Sequence, residues 1–78
     1  MMLRTGSTGN SVRQLQESLN YLEMADPPLV VDGIFGPLTR AAVVAFQDDS
    51  NLAADGIVGP MTAQALAGSI LLFLIAGQ

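Results

Sequence analysis

The chain contains no cysteine, no histidine and no lysine. Without cysteine there is neither a disulfide framework nor a thiolate zinc site, so a domain this small must be held by packing alone. Without histidine the commonest general base and most zinc sites are excluded. Serine and threonine are plentiful, but no basic partner is available to activate them as nucleophiles. Positive charge is scarce: three arginines, Arg4, Arg13 and Arg40, stand against seven carboxylates, for a net charge of −4. Nucleic acid and anionic lipid attract basic patches, so neither is expected as a partner. Adhesion to any polyanion would have to be local, through hydrogen bonds and shape.

Seventy-eight residues make one domain. Half of them are apolar, which sets the chain apart from disordered, highly charged segments. Only Met1, Met2 and Leu3 precede Arg4 and the polar stretch Gly6-Ser7-Thr8-Gly9, so no export signal is visible.

What the chain does have is an internal repeat. Asp32-Gly33-Ile34-Phe35-Gly36-Pro37-Leu38-Thr39-Arg40-Ala41-Ala42-Val43 recurs 23 residues later as Asp55-Gly56-Ile57-Val58-Gly59-Pro60-Met61-Thr62-Ala63-Gln64-Ala65-Leu66, with seven of twelve positions identical. Asp-Gly is turn chemistry, with glycine free to take positive φ. The isoleucine after it is expected to point inward. Gly-Pro then opens a helix, glycine at the N-cap and proline at the first helical position, where its missing N–H costs nothing.

Ahead of the repeat, Val12, Leu15, Leu19 and Leu22 recur at spacings of three and four and line one face of a helix. Asn10 or Ser11 can cap its start, and Asp26-Pro27-Pro28 is expected to end it. A second helix is predicted over 37–48, with Ala42, Val43 and Phe46 inward and Asn51 as a left-handed cap residue beyond it. A third begins at Pro60 and carries Leu66 inward. Val30 and Val31 suit a short extended stretch, but no sheet is indicated. The fold class read from this pattern is all-α, a closed three-helix bundle with two ordered Asp-Gly-Ile-x-Gly-Pro loops.

Other motifs are weak. Gly6-Ser7-Thr8-Gly9 lacks the lysine and the preceding strand of a phosphate loop. Asn51, Ala53, Asp55 and Gly56 echo a calcium loop, but the third ligand position is alanine and Thr62 stands where a bidentate glutamate is needed. Asp32 and Asp55 are the obvious carboxylate pair for glycoside cleavage. Each, however, sits in a turn whose backbone N–H groups it can bond. No catalytic residue, metal or cofactor is expected.

Taken in order, Leu3-Arg4-x-Gly6-Ser7-x-Gly9-x-x-Val12-x-x-Leu15-Gln16-x-x-Leu19-Asn20, Asp32-Gly33-Ile34-Phe35-Gly36-Pro37-x-Thr39, Ala42-Val43-x-x-Phe46-Gln47 and Asp55-Gly56-Ile57-Val58-Gly59-Pro60-x-Thr62 resemble the peptidoglycan-binding domain family. The resemblance covers residues 3 to about 67. It implies a three-helix fold and non-catalytic binding to peptidoglycan, which would target an associated protein or enzyme to the wall from an extracytoplasmic location. The alternative is a structural or protein–protein adaptor on the same fold. Members often carry tryptophan where this chain has Ala63, and many have glycine where it has Asn51.

Leu15, Leu19, Ile34, Val43, Phe46 and Ile57 read as core, and Gln16, Asn20 and Gln47 as side chains that bond the backbone of the repeat loops. The candidate ligand-binding residues are Asp32, Gly33, Phe35, Thr39, Arg40 and Tyr21, around a groove beside the first loop that would hold a stem peptide or muropeptide. Arg40 faces Ala63 across the repeat, so the bundle itself does not demand an arginine. It reads either as a solvated residue or as a fork for stem-peptide carboxylates. Phe35 reads as partly core, with Tyr21 undecided.

Residues 3–67 then form the domain and 68–78 an apolar extension. The run from Ile70 to Ala76 is too short to span a bilayer, which takes about 20 apolar residues. Exposed to water it would be a large apolar patch. Burial against the bundle or in a homodimer through Ile70–Ala76 is expected, with Gly68 as a hinge.

Overall fold

The computed structural model describes the backbone of residues 2–76 and the side chains of residues 2–69. Three helices follow one another, α1 (Asn10–Tyr21), α2 (Pro37–Asp49) and α3 (Pro60–Ala76). They pack around Val12, Leu15 and Leu19 of α1, Ala42, Val43 and Phe46 of α2, and Leu66 of α3. Leu29, Phe35 and Val58 complete this core from the connecting segments. The architecture is the all-α three-helix bundle that the periodicity predicts.

The two Gly-Pro starts behave as expected. Gly36 caps α2, Pro37 is its first residue, and Gly36 O accepts from Arg40 N at 3.0 Å. Gly59 O accepts from Ala63 N at 2.9 Å in the same way. The start of α1 differs from expectation. Neither Asn10 nor Ser11 caps it; Gly9 does, at φ 113° and without a side-chain bond. A side chain there would be strained, and the conformation lets Gly9 N reach Gly33 O at 2.9 Å while Gly9 O takes Arg13 N at 3.1 Å.

Helix α1 also stops earlier than its prolines require. Glu23 turns left-handed at φ 58°, Glu23 N donates to Asn20 O at 3.0 Å and Met24 N to Leu19 O at 2.9 Å. This paired pattern closes a helix end by itself. The same closure ends α2, where Asn51 sits at φ 59° and Leu52 N reaches Gln47 O at 2.8 Å. At the far end α3 passes Gly68 without a break, so the expected hinge is helical backbone.

The amino-terminal segment stitches the loops together. Leu3 pairs with Val58 (Leu3 N to Val58 O 3.0 Å, Val58 N to Leu3 O 2.8 Å), and Phe35 exchanges bonds with Gly6 and Ser7. These bonds tie residues 3–8 to both repeat loops, just ahead of the starts of α2 and α3.

The inward residue of each loop is not the isoleucine. Ile34 is 56% exposed and Ile57 half-buried, whereas Phe35 is 1% and Val58 5% exposed. In the first loop Ile34 pairs with Thr8 on the outer side of the turn and the next side chain, Phe35, faces the core; in the second loop the inward residue, Val58, is itself the one that pairs, with Leu3.

Candidate functional site

Each repeat loop is held by a buried glutamine from the preceding helix. Gln16 of α1 donates through Nε2 to Asp32 Oδ1 (3.1 Å), Ile34 O (3.0 Å) and Thr39 Oγ1 (3.1 Å), and accepts from Gly33 N at Oε1 (3.0 Å). Gln47 of α2 donates to Asp55 Oδ1 (3.1 Å), Ile57 O (3.0 Å) and Thr62 Oγ1 (3.1 Å), and accepts from Gly56 N (2.9 Å). Both glutamines are 1% exposed. The first two helices thus each fasten the loop that starts the next one.

The aspartates do what their turns ask. Asp32 Oδ1 accepts from Ile34 N and Asp55 Oδ1 from Ile57 N, each at 2.9 Å. These backbone bonds, aided by the glutamine bonds and by Arg13 or Arg40 nearby, hold both carboxyls below the usual aspartate range against a small opposing desolvation. Asn20 departs from the expected role. Its amide exchanges two bonds with Leu29, Nδ2 to Leu29 O at 2.9 Å and Leu29 N to Oδ1 at 2.7 Å, and touches neither repeat loop.

A groove of about 220 Å³ runs beside the first loop, lined by Gln16, Leu29, Val30, Asp32, Ile34, Gly36, Pro37, Leu38 and Thr39. Its lips are apolar and open to solvent: Val30 and Leu38 are each 76% exposed. Of the residues singled out from sequence, Asp32 and Thr39 line it, Thr39 mostly as a buried partner of Gln16. Gly33 lies behind the turn at φ 74°, where a Cβ would come within 3.3 Å of Arg13 Cγ and 3.2 Å of Gly9 O. Phe35 is in the core. Tyr21, on the last turn of α1, is exposed and is not among the groove residues. Ile34, which the sequence reads as core, forms the lips with Leu38 and Val30, and no sequence signal marks any of the three for binding.

Arg40 is not beside the first loop. It lies over the second, where a Cβ on Gly56 would meet its Nε at 2.9 Å and its Nη2 reaches Asp55 O at 3.5 Å. Arg13 stands in the same relation to Gly33. Both arginines are the fourth residue of their helix, as is Ala63 in α3. The structural counterpart of Arg40 is therefore Arg13: α1 and α2 each use the arginine at this position to cover the Asp-Gly turn that follows.

Asp32 and Asp55 line separate grooves, each carboxylate fastened in its own turn. Among the described residues no group of three carboxylate, histidine or cysteine side chains could hold a metal ion.

Residues 8–66 match the model of the family described as "Putative peptidoglycan binding domain". The chain belongs to this family. The peptidoglycan-binding domain superposes on the solved SleB N-terminal domain with a TM-score of 0.84 and 33% identity, over 88% of this chain and 92% of that one. It superposes on a Burkholderia AP3 phage endolysin with a TM-score of 0.81 and 40% identity, over 88% of this chain and 26% of the endolysin. A zinc D-Ala-D-Ala carboxypeptidase of Streptomyces albus G is 50% identical over 45 residues, 58% of this chain and 18% of the enzyme. The chain therefore spans under a fifth of that curated relative and about a quarter of the endolysin. The fold is a wall-binding module of the kind carried by wall-associated proteins, and it binds peptidoglycan. In this domain Ala63, at the position where members often carry tryptophan, lines a groove of about 510 Å³ between α1 and α3 together with Leu3, Leu15 and Leu66.

Proposed function

We propose that the domain works outside the cytoplasm as a non-catalytic anchor, and that the groove beside the first Asp-Gly-Ile-Phe-Gly-Pro loop receives a stem peptide or muropeptide. The observation that carries this reading is the groove's composition. A rigid turn presents one ionised carboxylate, Asp32, between exposed apolar lips, Val30, Ile34 and Leu38. Peptidoglycan offers the matching chemistry, with amide N–H and amine donors beside alanine and acetyl methyl groups. Oδ1 of Asp32 is committed to the turn, and its second oxygen remains for a ligand donor. The chain carries neither histidine nor cysteine to drive a bond-breaking step, and it anchors a catalytic partner or parent protein instead. Arg40 and Tyr21 lie outside this groove, and their contacts with the polymer would be made elsewhere on the bundle.

Pelleting with purified sacculi tests the groove. Leu38→Asp removes an exposed lip with no core volume, so it should leave the melting temperature unchanged and release the domain to the supernatant. Retention equal to wild type would place the wall contact elsewhere on the bundle.

A second reading is supported by the unbroken course of α3 to Ala76. No helix among the described residues is long and apolar enough to cross a membrane. A continuous apolar helix end of that kind suits association with a second copy through residues 70–76, with the fold serving as an adaptor. Light scattering on the full chain and on one stopped after Ala67 separates the readings: dimer converting to monomer supports the adaptor, and monomer in both refutes it.

A further inference from the structure

The groove beside the first loop has a counterpart. A second groove, also about 220 Å³, lies beside the second loop and is lined by Met2, Ala53 and Met61 together with Asp55, Ile57 and Thr62 and the Gly59-Pro60 helix start. Seven of the nine residues lining the first groove, from Val30 to Thr39, correspond at an offset of 23 to seven of the eight lining the second, from Ala53 to Thr62. Only Met2 is added there. The match extends beneath the surface, since the glutamine, aspartate and threonine bonds of the two loops agree in partners and in length. Asp55 presents the same half-engaged carboxylate as Asp32, Met61 (71% exposed) the same apolar lip as Leu38, and Arg40 covers Gly56 as Arg13 covers Gly33.

We infer that the second groove is a second peptidoglycan site, taking the same muropeptide chemistry as the first, so that one domain grips the wall at two points. This rests on the reading of the first groove given above. The occupant follows from charge and from the polymer. The acidic rim of Asp55 suits the same amide and amine donors, and the adjoining Arg40 suits a stem-peptide carboxylate. Peptidoglycan repeats its disaccharide-peptide unit along and across strands, so a duplicated site meets a duplicated ligand. Two sites on one rigid body bind such a polymer far more tightly than either alone, because the second contact forms at high effective concentration.

The two grooves can be titrated separately. Amide shifts of ¹⁵N-labelled full chain are followed while a purified disaccharide-tetrapeptide muropeptide is added, for wild type, Leu38→Asp and Met61→Asp. Both substitutions are at exposed positions and should leave the melting temperature unchanged. In wild type, the amides of Ile34 and Leu38 and those of Ile57 and Met61 should all shift along saturable curves. Leu38→Asp should silence the first set alone and Met61→Asp the second alone, and each should lower affinity for intact sacculi by about ten-fold or more. Shifts confined to the first loop, with Met61→Asp binding sacculi as wild type does, would overturn the second site and leave the first standing. Silence at both loops while sacculi still retain the protein would overturn both.

Discussion

Replacing Gln16 by leucine asks how much of the fold depends on the glutamine clamps. Leucine keeps most of the volume and none of the polarity. Gly33 N, Thr39 Oγ1 and Ile34 O would lose their partner, and Gly33 and Thr39 are buried. Each buried group left unpaired costs about 1–3 kcal/mol, so two of them predict a loss of roughly 2–6 kcal/mol. A domain of this length has a total stability of about 4–12 kcal/mol, at roughly 0.05–0.15 kcal/mol per residue. The loss is therefore a large share of the whole. Guanidinium unfolding followed by helical circular dichroism reads it directly. With a slope of about 2–3 kcal/mol per molar, the midpoint should fall by roughly 1–3 M. Because Gln47 makes the same bonds to the second loop, Gln47→Leu should cost the same within about 1 kcal/mol. A midpoint within a few tenths molar of wild type for either variant would show that water or a shifted loop satisfies these groups, and that the clamps do not hold the loops.

Phe35→Ala should cost about 3–5 kcal/mol, whereas Ile34→Ala, at a side chain 56% exposed, should stay below about 1 kcal/mol; the reverse order in denaturant midpoints would contradict the inward placement of Phe35. Asp32 and Asp55 have folded-state pKa values lowered chiefly by the N–H groups of Ile34 and Ile57. Their stabilisation is thus complete above the unfolded aspartate pKa of about 3.9 and is lost as pH falls through the lower folded values. The melting temperature should hold steady from neutrality to about pH 5 and drop below about pH 4. Asp32→Asn should be less stable than wild type at neutral pH and converge with it in strong acid; parallel curves would deny the linkage. Glu23→Gly should raise stability by a few tenths to about 1 kcal/mol, since glycine takes φ 58° without strain, and a lowered melting temperature would show that the glutamate side chain contributes more than its backbone costs.

The helices were legible because their signals are local and redundant. Apolar spacing marks α1, and Gly-Pro places the starts of α2 and α3 to the residue. The miscued features are those decided by contacts distant in sequence. The end of α1 looked as if it belonged to Pro27 and Pro28, yet a left-handed Glu23 ends the helix first. No propensity argument favours glutamate there; the bonds to Asn20 and Leu19 make the conformation worthwhile. Asn10 and Ser11 are good capping residues that were not used, because Gly9 must first bond Gly33, 24 positions further along the chain.

The same distinction runs through the site. The aspartate and glutamine roles could be read because an Asp-Gly turn exposes backbone N–H groups that only a polar side chain can satisfy. Which side of the turn faces the core could not, since Ile34 and Phe35 are both apolar and the choice is made by pairing with Thr8 and with Ser7 and Gly6. A one-residue error in that register exchanges an interior anchor for a groove lip. It also conceals the lips, because a residue assigned to the core is not considered for binding. The place of Arg40 over the second loop is hidden in the sequence for a related reason. The repeat aligns this arginine with Ala63, whereas the helices and the loops they hold align it with Arg13. The repeating unit of the molecule is a helix plus the loop that it holds, α1 with Asp32-Gly33 and α2 with Asp55-Gly56. Seen in that frame the arginines and glutamines of the first two helices belong to the loops that follow them. The apolar residues left at the surface, Val30, Ile34 and Leu38 at one turn and Ile57 and Met61 at the other, are the ones that the proposed two-groove reading assigns to the wall.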